Sequence, residues 1–332
     1  MINKLTYIES DQYNPYKNLA VEEYLFFRCQ KEECILYLWQ NQHTIVIGRN
    51  QNAWAECLTE KLENDGGFLA RRLSGGGAVY HDLGNLNFTF LVNKENYNVD
   101  KQLEVIQKAV AKFGVRAEKS GRNDILIDGR KFSGNAFYKD GDHCYHHGTI
   151  MLDVKVDEMS KYLTVSKEKL QSKGVSSVKS RVVNIKELVP DITVDRMKEA
   201  LKEAFSEVYG EKTDVIKMDD LDQNKVEEIT DRLKSWEWRY GRKIPFNEMK
   251  SRRFDWGQIS LNFYVQEGRV EDIIVYTDAL KPAIADEIPK YLKGLKYKKD
   301  VICTELGLFW SEEEVENKMM KDIIEWLKSL DW

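Results

Sequence analysis

Arginine, serine, glycine and histidine crowd into one stretch, Arg71–Asn85 (RRLSGGGAVYHDLGN). Three consecutive glycines, Gly75, Gly76 and Gly77, remove β-carbons from a loop, let backbone N–H groups approach a ligand and permit φ values that other residues avoid. Arg71 and Arg72 add planar forks of donors matched to a phosphate or a carboxylate. The spacing excludes both standard nucleotide loops: the P-loop pattern is absent, and the dinucleotide fingerprint begun by Gly75 and Gly77 meets Tyr80 where its third glycine would stand. Three glycines alone read equally as a flexible turn between strands; the flanking arginines favour an anion cradle.

A second stretch, Gly121–Tyr138 (GRNDILIDGRKFSGNAFY), carries an Asp and a Lys around a hairpin signal at Asp128-Gly129. Strands paired across that turn would set Asp124 and Lys131 at comparable heights near the hairpin base, with Arg122 and Asn123 beside them. Lys131 beside an anion loop could neutralise charge on a phosphoryl group or a substrate carboxylate; by its residues alone it reads more readily as a solvated hairpin lysine. Asp124 reads equally as a turn aspartate or as a Mg²⁺ ligand, a cation that takes few carboxylates and keeps several waters.

Beyond a second hairpin turn at Asp140-Gly141 come His143, Cys144, His146 and His147. On a strand, His143 and His147 share one face and Cys144 and His146 the other, so neither face offers a closed set of metal ligands. A buried, hydrogen-bonded histidine, or one aimed at substrate, fits better. Cys144 near two histidines raises a thiolate carrying an acyl group as a thioester, although most isolated cysteines are small apolar core residues.

These residues need a β framework. Leu5–Ser10, Ile35–Trp39, Thr44–Ile47, Phe68–Arg72, Asn87–Val92 and a return strand from His143 to Leu152 read as strands. Asn14-Pro15 is a helix entry, with Tyr16, Leu19, Ala20, Tyr24 and Phe27 facing the core and Glu22, Glu23 and Arg28 polar. Helices are expected over Ala53–Asn64, Asp100–Phe113, Val194–Tyr209 and Lys225–Trp236, with a polar loop over Ser172–Ser177. The expected division is a first domain over 1–246, a short charged linker over 247–253 and a small α+β unit over 254–332, with strands around Gln258–Gln266 and Arg269–Thr277 and two helices after them.

With 332 residues, 42% hydrophobic and 32% charged, the chain has ordinary globular composition and room for two domains. A net charge of −5 argues against a general nucleic-acid binder, so any anion site is local. No run of eighteen apolar residues occurs and Met1–Lys4 leads into no apolar segment, so neither membrane nor secretion is expected. Five scattered cysteines without CxxC pairs suit a reducing cytoplasm.

Several of these stretches together resemble the lipoate–protein ligase A family. Arg71 to Asp82 is similar to its RRxSGGGxVxHD loop, and Gly121-Arg122-Asn123-Asp124 with Gly129-Arg130-Lys131-Phe132-Ser133-Gly134 to its GRND…GRKxSG pair. Asn18 to Glu23, Val46 to Arg49 and His146 to Thr149 add to the match. The resemblance implies a mixed α/β (α+β) catalytic domain related to biotin ligases and class II synthetases, with a small C-terminal accessory domain. It implies that lipoate and ATP give lipoyl-adenylate and pyrophosphate, with Mg²⁺ accompanying ATP, before the acyl group passes to a carrier lysine. The carriers implied are lipoyl domains of 2-oxoacid dehydrogenase acyltransferase subunits, the glycine cleavage H protein, or both. It further implies that Arg72, Gly77, Ala78, Val79, Tyr80, Lys131 and Asp124 bind ATP or adenylate, that Asp124 meets the metal, and that Lys131, Arg72, Ser74, Gly75, Gly76, His81 and His147 bind lipoate. Two alternatives stay open: an ATP-independent octanoyl or lipoyl transferase using a Cys144 thioester, and a non-catalytic lipoate- or carrier-binding protein.

Overall fold

The structure, a computed structural model, describes residues 1–121, 123–164, 181–241 and 244–331. Arg122 and the polar loop expected over Ser172–Ser177 lie outside these residues. The chain divides into two units: one comprises 1–47, 53–72 and 78–239, the other 48–52, 73–77 and 240–332.

Fourteen described strands run β1 (Lys4–Glu9), β2 (Glu33–Trp39), β3 (Thr44–Ile47), β4 (Phe68–Arg71), β5 (Val79–His81), β6 (Asn85–Asn93), β7 (Glu118–Ser120), β8 (Asp124–Ile127), β9 (Arg130–Asp140), β10 (His143–Met151), β11 (Thr213–Val215), β12 (Glu248–Phe254), β13 (Gly257–Gln266) and β14 (Arg269–Thr277). In the first unit, eight of them form a mixed sheet ordered β11-β1-β2-β6-β10-β9-β8-β7, and a small sheet runs β4-β3-β5. β8 and β9 are joined as expected: Asp128 and Gly129 adopt φ of 49° and 74°, the paired left-handed values of a two-residue hairpin turn. At the next hairpin Asp140 pairs with His143, so the turn residues are Gly141 and Asp142, one later than expected.

Register sorts the large sheet into two faces, because partners directly opposite point the same way. On one face lie Leu36 and Leu38, Phe88 and Phe90, Cys144, Ile150 and Phe132, packed with Leu103, Ile106 and Val110 of the helix Val99–Ala111 and with Met197, Leu201 and Phe205 of the helix Val194–Tyr209. The other face carries Tyr37 and Trp39, Asn87 and Thr89, Tyr145 and His147, then Ala136, Gly134 and Asp124. Polar residues thus run across the middle of the sheet on the side that does not hold this core.

The helix Pro15–Arg28 covers that polar face. Asn14 caps it by accepting from the Tyr16 and Lys17 N–H groups, and Pro15 sits where a missing N–H costs nothing. Its buried side differs from the expected one. Phe26 is fully buried while Phe27 is 53% exposed, and Glu22, read as polar, is buried together with Asn18. Their burial is paid for by partners: Asn18 Nδ2 donates to the Gln40 carbonyl at 2.7 Å and to Asn41 Oδ1 at 3.0 Å, while Glu22 receives Thr89 and His147.

The second unit has its own core. β12, β13 and β14 form an antiparallel sheet whose Ile259, Leu261, Phe263 and Ile273 pack on Ile288, Ile302 and Ile323 of the helices Ala283–Leu292, Lys299–Leu306 and Glu314–Ser329. The residues expected as a linker, 247–253, are a correction: they lie almost wholly in β12, paired residue for residue with β13, and the unit begins at 240. Lys250, Arg252 and Arg253 disguise β12 because it is an edge strand with a solvated face, where charge blocks further pairing. The unit also claims two segments of the N-terminal half, 48–52 and 73–77.

Candidate active site

Lys131 and Asp124 meet on the polar face of the sheet. Lys131 Nζ lies 2.7 Å from Asp124 Oδ1, with both side chains about a third exposed. They are not at one height: Asp124 pairs with Gly134 and Lys131 with Leu126, across an irregularity between Ile125 and Leu126. The contact is diagonal, and it brings a cation and a carboxylate to the border of solvent. Arg122, expected beside them, lies outside the described residues.

The base of the hairpin is tied from behind. Asn135 N–H donates to the Asn123 carbonyl at 2.8 Å and Asn123 Nδ2 returns to the Asn135 carbonyl at 3.0 Å. Asn135 Oδ1 faces His146 Nε2 at 2.8 Å, and His146 Nδ1 faces Gln102 at 3.1 Å. His146 is buried on the core face, with a pKa pushed down to about 3 first by burial and then by His147 and Lys119. A neutral imidazole donates through one nitrogen and accepts at the other. This histidine links the helix Val99–Ala111 to the strand bearing Gly134 and has no route to a ligand on the opposite face.

A second buried cluster holds His147, Arg72 and His81. His147 Nδ1 donates to Glu22 Oε1 at 2.8 Å; the same oxygen accepts from Thr89 Oγ1 at 2.6 Å, and Thr89 accepts from Trp39 Nε1 at 3.1 Å. Arg72 Nη1 donates to the Val46 carbonyl at 3.1 Å. Burial pulls the Arg72 pKa down to about 10 against the opposing pull of Tyr145 and Glu22, so the guanidinium stays charged at neutral pH. His81 is pushed down to about 3, first by burial and then by Arg72 and His147. Its Nδ1 accepts from Asn41 Nδ2 at 3.2 Å, which leaves the proton on Nε2. That buried Nε2 and the buried Asn87 Nδ2 have no hydrogen-bond partner among the described residues. Both adjoin Trp39, His81 by ring contact and Asn87 by register. An oxygen-bearing group would satisfy either donor.

The remaining expected residues divide between the units. Ala78, Val79 and Tyr80 belong to the first, where Val79 and Tyr80 enter β5 opposite Val46 and Ile45. Ser74, Gly75, Gly76 and Gly77 belong to the second. There the glycines serve close backbone packing. The Gly76 N–H donates to the Ala279 carbonyl at 2.9 Å, a β-carbon on Gly75 would lie 2.3 Å from that same carbonyl oxygen, and one on Gly48 would lie 2.2 Å from the Gly76 oxygen. Only Gly76 of the three has a positive φ, 89°. Arg71 is likewise occupied: its Nε and Nη2 donate to the Trp238 and Arg239 carbonyls, and Trp238 Nε1 donates back to the Arg71 carbonyl. Cys144 is buried in the core, directly opposite Val92 of β6. No group of three or more His, Cys, Asp or Glu side chains gathers as a metal site among the described residues.

The family model for the lipoyl protein ligase A/B catalytic domain matches residues 14–206, and that for the bacterial lipoate protein ligase C-terminus matches 243–327. A lipoate-protein ligase A of Bdellovibrio bacteriovorus is 38% identical over 333 residues, 98% of each chain. The chain belongs to the lipoate–protein ligase A family. It is a ligase of that family, with the mixed α/β catalytic fold and the C-terminal accessory domain. Among solved structures, P. falciparum LipL1 in complex with lipoate is similar at a TM-score of 0.86 and 30% identity, covering 97% of this chain and 99% of that one. The bipartite lipoate protein ligase of Thermoplasma acidophilum matches at a TM-score of 0.64 and 27% identity, covering 74% of this chain and 99% of its own.

The family's short motifs had pointed to Lys131, Asp124, Arg72, His81 and His147. Glu22, Thr89, Asn41 and Asn135 were missed as partners, although Glu22 lies in the Asn18–Glu23 motif. A polar residue on an apolar helix face is the signal that would have found it.

Proposed function

We propose that this ligase joins free lipoate to ATP, giving lipoyl-adenylate and pyrophosphate, and then passes the lipoyl group to the ε-amine of a lysine on a carrier domain. In the first step a lipoate carboxylate oxygen bonds to the α-phosphorus as the bond to pyrophosphate breaks. Two anions must approach, so cations have to be in place beforehand. The observation that carries the reading is the Lys131 ammonium, fixed by Asp124 at 2.7 Å on the polar sheet face, at a border with solvent that a nucleotide can reach.

Lys131 touches both the lipoate carboxylate and the α-phosphate and neutralises charge as they bond. Arg72, charged although buried, supplies a second cation. Backbone groups of Gly77, Ala78, Val79 and Tyr80 take the adenylate, and Ser74, Gly75, Gly76, His81 and His147 the lipoate. The neutral His81 donates through Nε2. Mg²⁺ keeps several waters and takes few carboxylates, so an ion arriving on the ATP phosphates would need only one oxygen from Asp124. When bound, that ion screens phosphate charge.

In the second step the carrier amine attacks the acyl carbon, loses a proton, and AMP leaves with the electron pair of the broken bond. The carriers are lipoyl domains of 2-oxoacid dehydrogenase acyltransferase subunits, the glycine cleavage H protein, or both. Five buried cysteines, none of them in a disulfide, support a reducing cytoplasm. A thioester route through Cys144 is disfavoured, since that thiol is 1% exposed in the core on the opposite face from Lys131. Lipoate-dependent release of pyrophosphate by the purified protein tests the reading, and acyl transfer without ATP would replace it.

A further inference from the structure

Gly134 sits in the interior of β9, where glycine weakens a strand and where its φ lies outside the left-handed region. Backbone conformation therefore gives no reason for it. Its surroundings do: a β-carbon built there would stand 2.7 Å from Lys131 Nζ and 2.9 Å from Lys131 Cε. Gly134 is also the direct cross-strand partner of Asp124, the residue that holds that ammonium. The missing side chain is the seat in which the lysine head lies.

We infer that Gly134 is the positioning residue for the Lys131 ammonium in adenylate binding, a role that rests on the function proposed for Lys131 above. The strand cannot withdraw to admit a methyl group. Gly134 N–H donates to Thr149 Oγ1 at 3.2 Å, the Asn135 N–H to the Asn123 carbonyl at 2.8 Å, and Asn123 Nδ2 to the Asn135 carbonyl at 3.0 Å. Asn135 is further tied to His146. What can move is the end of a flexible lysine. Gly134→Ala thus leaves the fold intact and shifts the ammonium off its position.

The test is a double-mutant cycle on affinity for a non-hydrolysable lipoyl-adenylate analogue bearing a sulfamoyl link, measured by calorimetry beside thermal melting. Four proteins are compared: wild type, Gly134→Ala, Lys131→Ala and the double variant. Expected are a Gly134→Ala melting temperature within a few degrees of wild type and binding weakened by about tenfold, the scale of one charge-assisted hydrogen bond. The double variant should bind no more weakly than Lys131→Ala. Unchanged binding by Gly134→Ala beside a weakened Lys131→Ala overturns the positioning role alone. So do losses that add fully in the double variant, or a Gly134→Ala protein that melts far below wild type. A Lys131→Ala protein binding as tightly as wild type overturns the role given to Lys131, and the positioning role with it.

Discussion

Lys131 Nζ lies 2.7 Å from Asp124 Oδ1 although register sets Lys131 opposite Leu126 and Asp124 opposite Gly134. A pair about a third exposed on each side contributes little to stability, under about 1 kcal/mol. Its value is geometric. Asp124→Ala is therefore expected to leave urea unfolding nearly unchanged while slowing lipoate-dependent pyrophosphate release by about tenfold. A loss of several kcal/mol with full activity would make the pair a structural one.

Glu22 offers the opposite balance. Its buried carboxylate accepts from Thr89 and from His147, so truncation orphans both donors. Glu22→Ala should lower the free energy of unfolding by roughly 2–4 kcal/mol, and Glu22→Gln, which keeps an acceptor, by clearly less. Equal effects of the two substitutions in urea titrations would contradict this account of the cluster.

His81 and His146 give the fold an acid limit. Both have folded pKa values pushed down to about 3, against about 6.5 unfolded. The unfolded chain then binds more protons below pH 6.5, so stability is complete above that pH and is lost as pH falls toward 3. Each histidine contributes a slope of up to about 1.4 kcal/mol per pH unit in that window. His146→Gln should remove one proton's worth of slope from urea stability measured between pH 6 and 4; an unchanged slope would mean that His146 is not held neutral.

The glycine loop makes a steric forecast. A β-carbon on Gly75 would meet the Ala279 oxygen at 2.3 Å and the Leu280 oxygen at 2.9 Å, both backbone atoms. Gly75→Ala should cost about 2 kcal/mol or more. Gly66→Ala meets nothing within 4 Å and suffers only from its φ of +74°, so about 1 kcal/mol is expected in the same thermal melts. Equal tolerance at both positions would contradict the packing role of the loop.

What could be read in the sequence was whatever local chemistry decides. Asp128-Gly129 specified its hairpin because the two residues tolerate the left-handed φ the turn requires. Alternation on β10 separated Cys144 and His146 from His143 and His147, and the structure sets the first pair on the core face and His147 with the polar residues. Other features depend on tertiary context. A bulge in the β8–β9 pairing moved Lys131 off the level of Asp124. Phe26 rather than Phe27 faces inward because buried Asn18 finds partners in the β2–β3 connection and buried Glu22 finds them on β6 and β10. The glycines of Gly75–Gly77 were read as room for a ligand, yet Gly75 and Gly76 also fit against the Ala279 carbonyl, more than two hundred residues away in sequence.

Lipoate-dependent ATP–pyrophosphate exchange, run on wild type, Lys131→Ala and Cys144→Ala, tests the central claim most directly. The expected result is exchange that requires lipoate, survives Cys144→Ala, and falls about a hundredfold or more in Lys131→Ala, the loss typical of a preorganised charge partner. Absence of exchange in the wild type, together with ATP-independent acyl transfer abolished by Cys144→Ala, would contradict it.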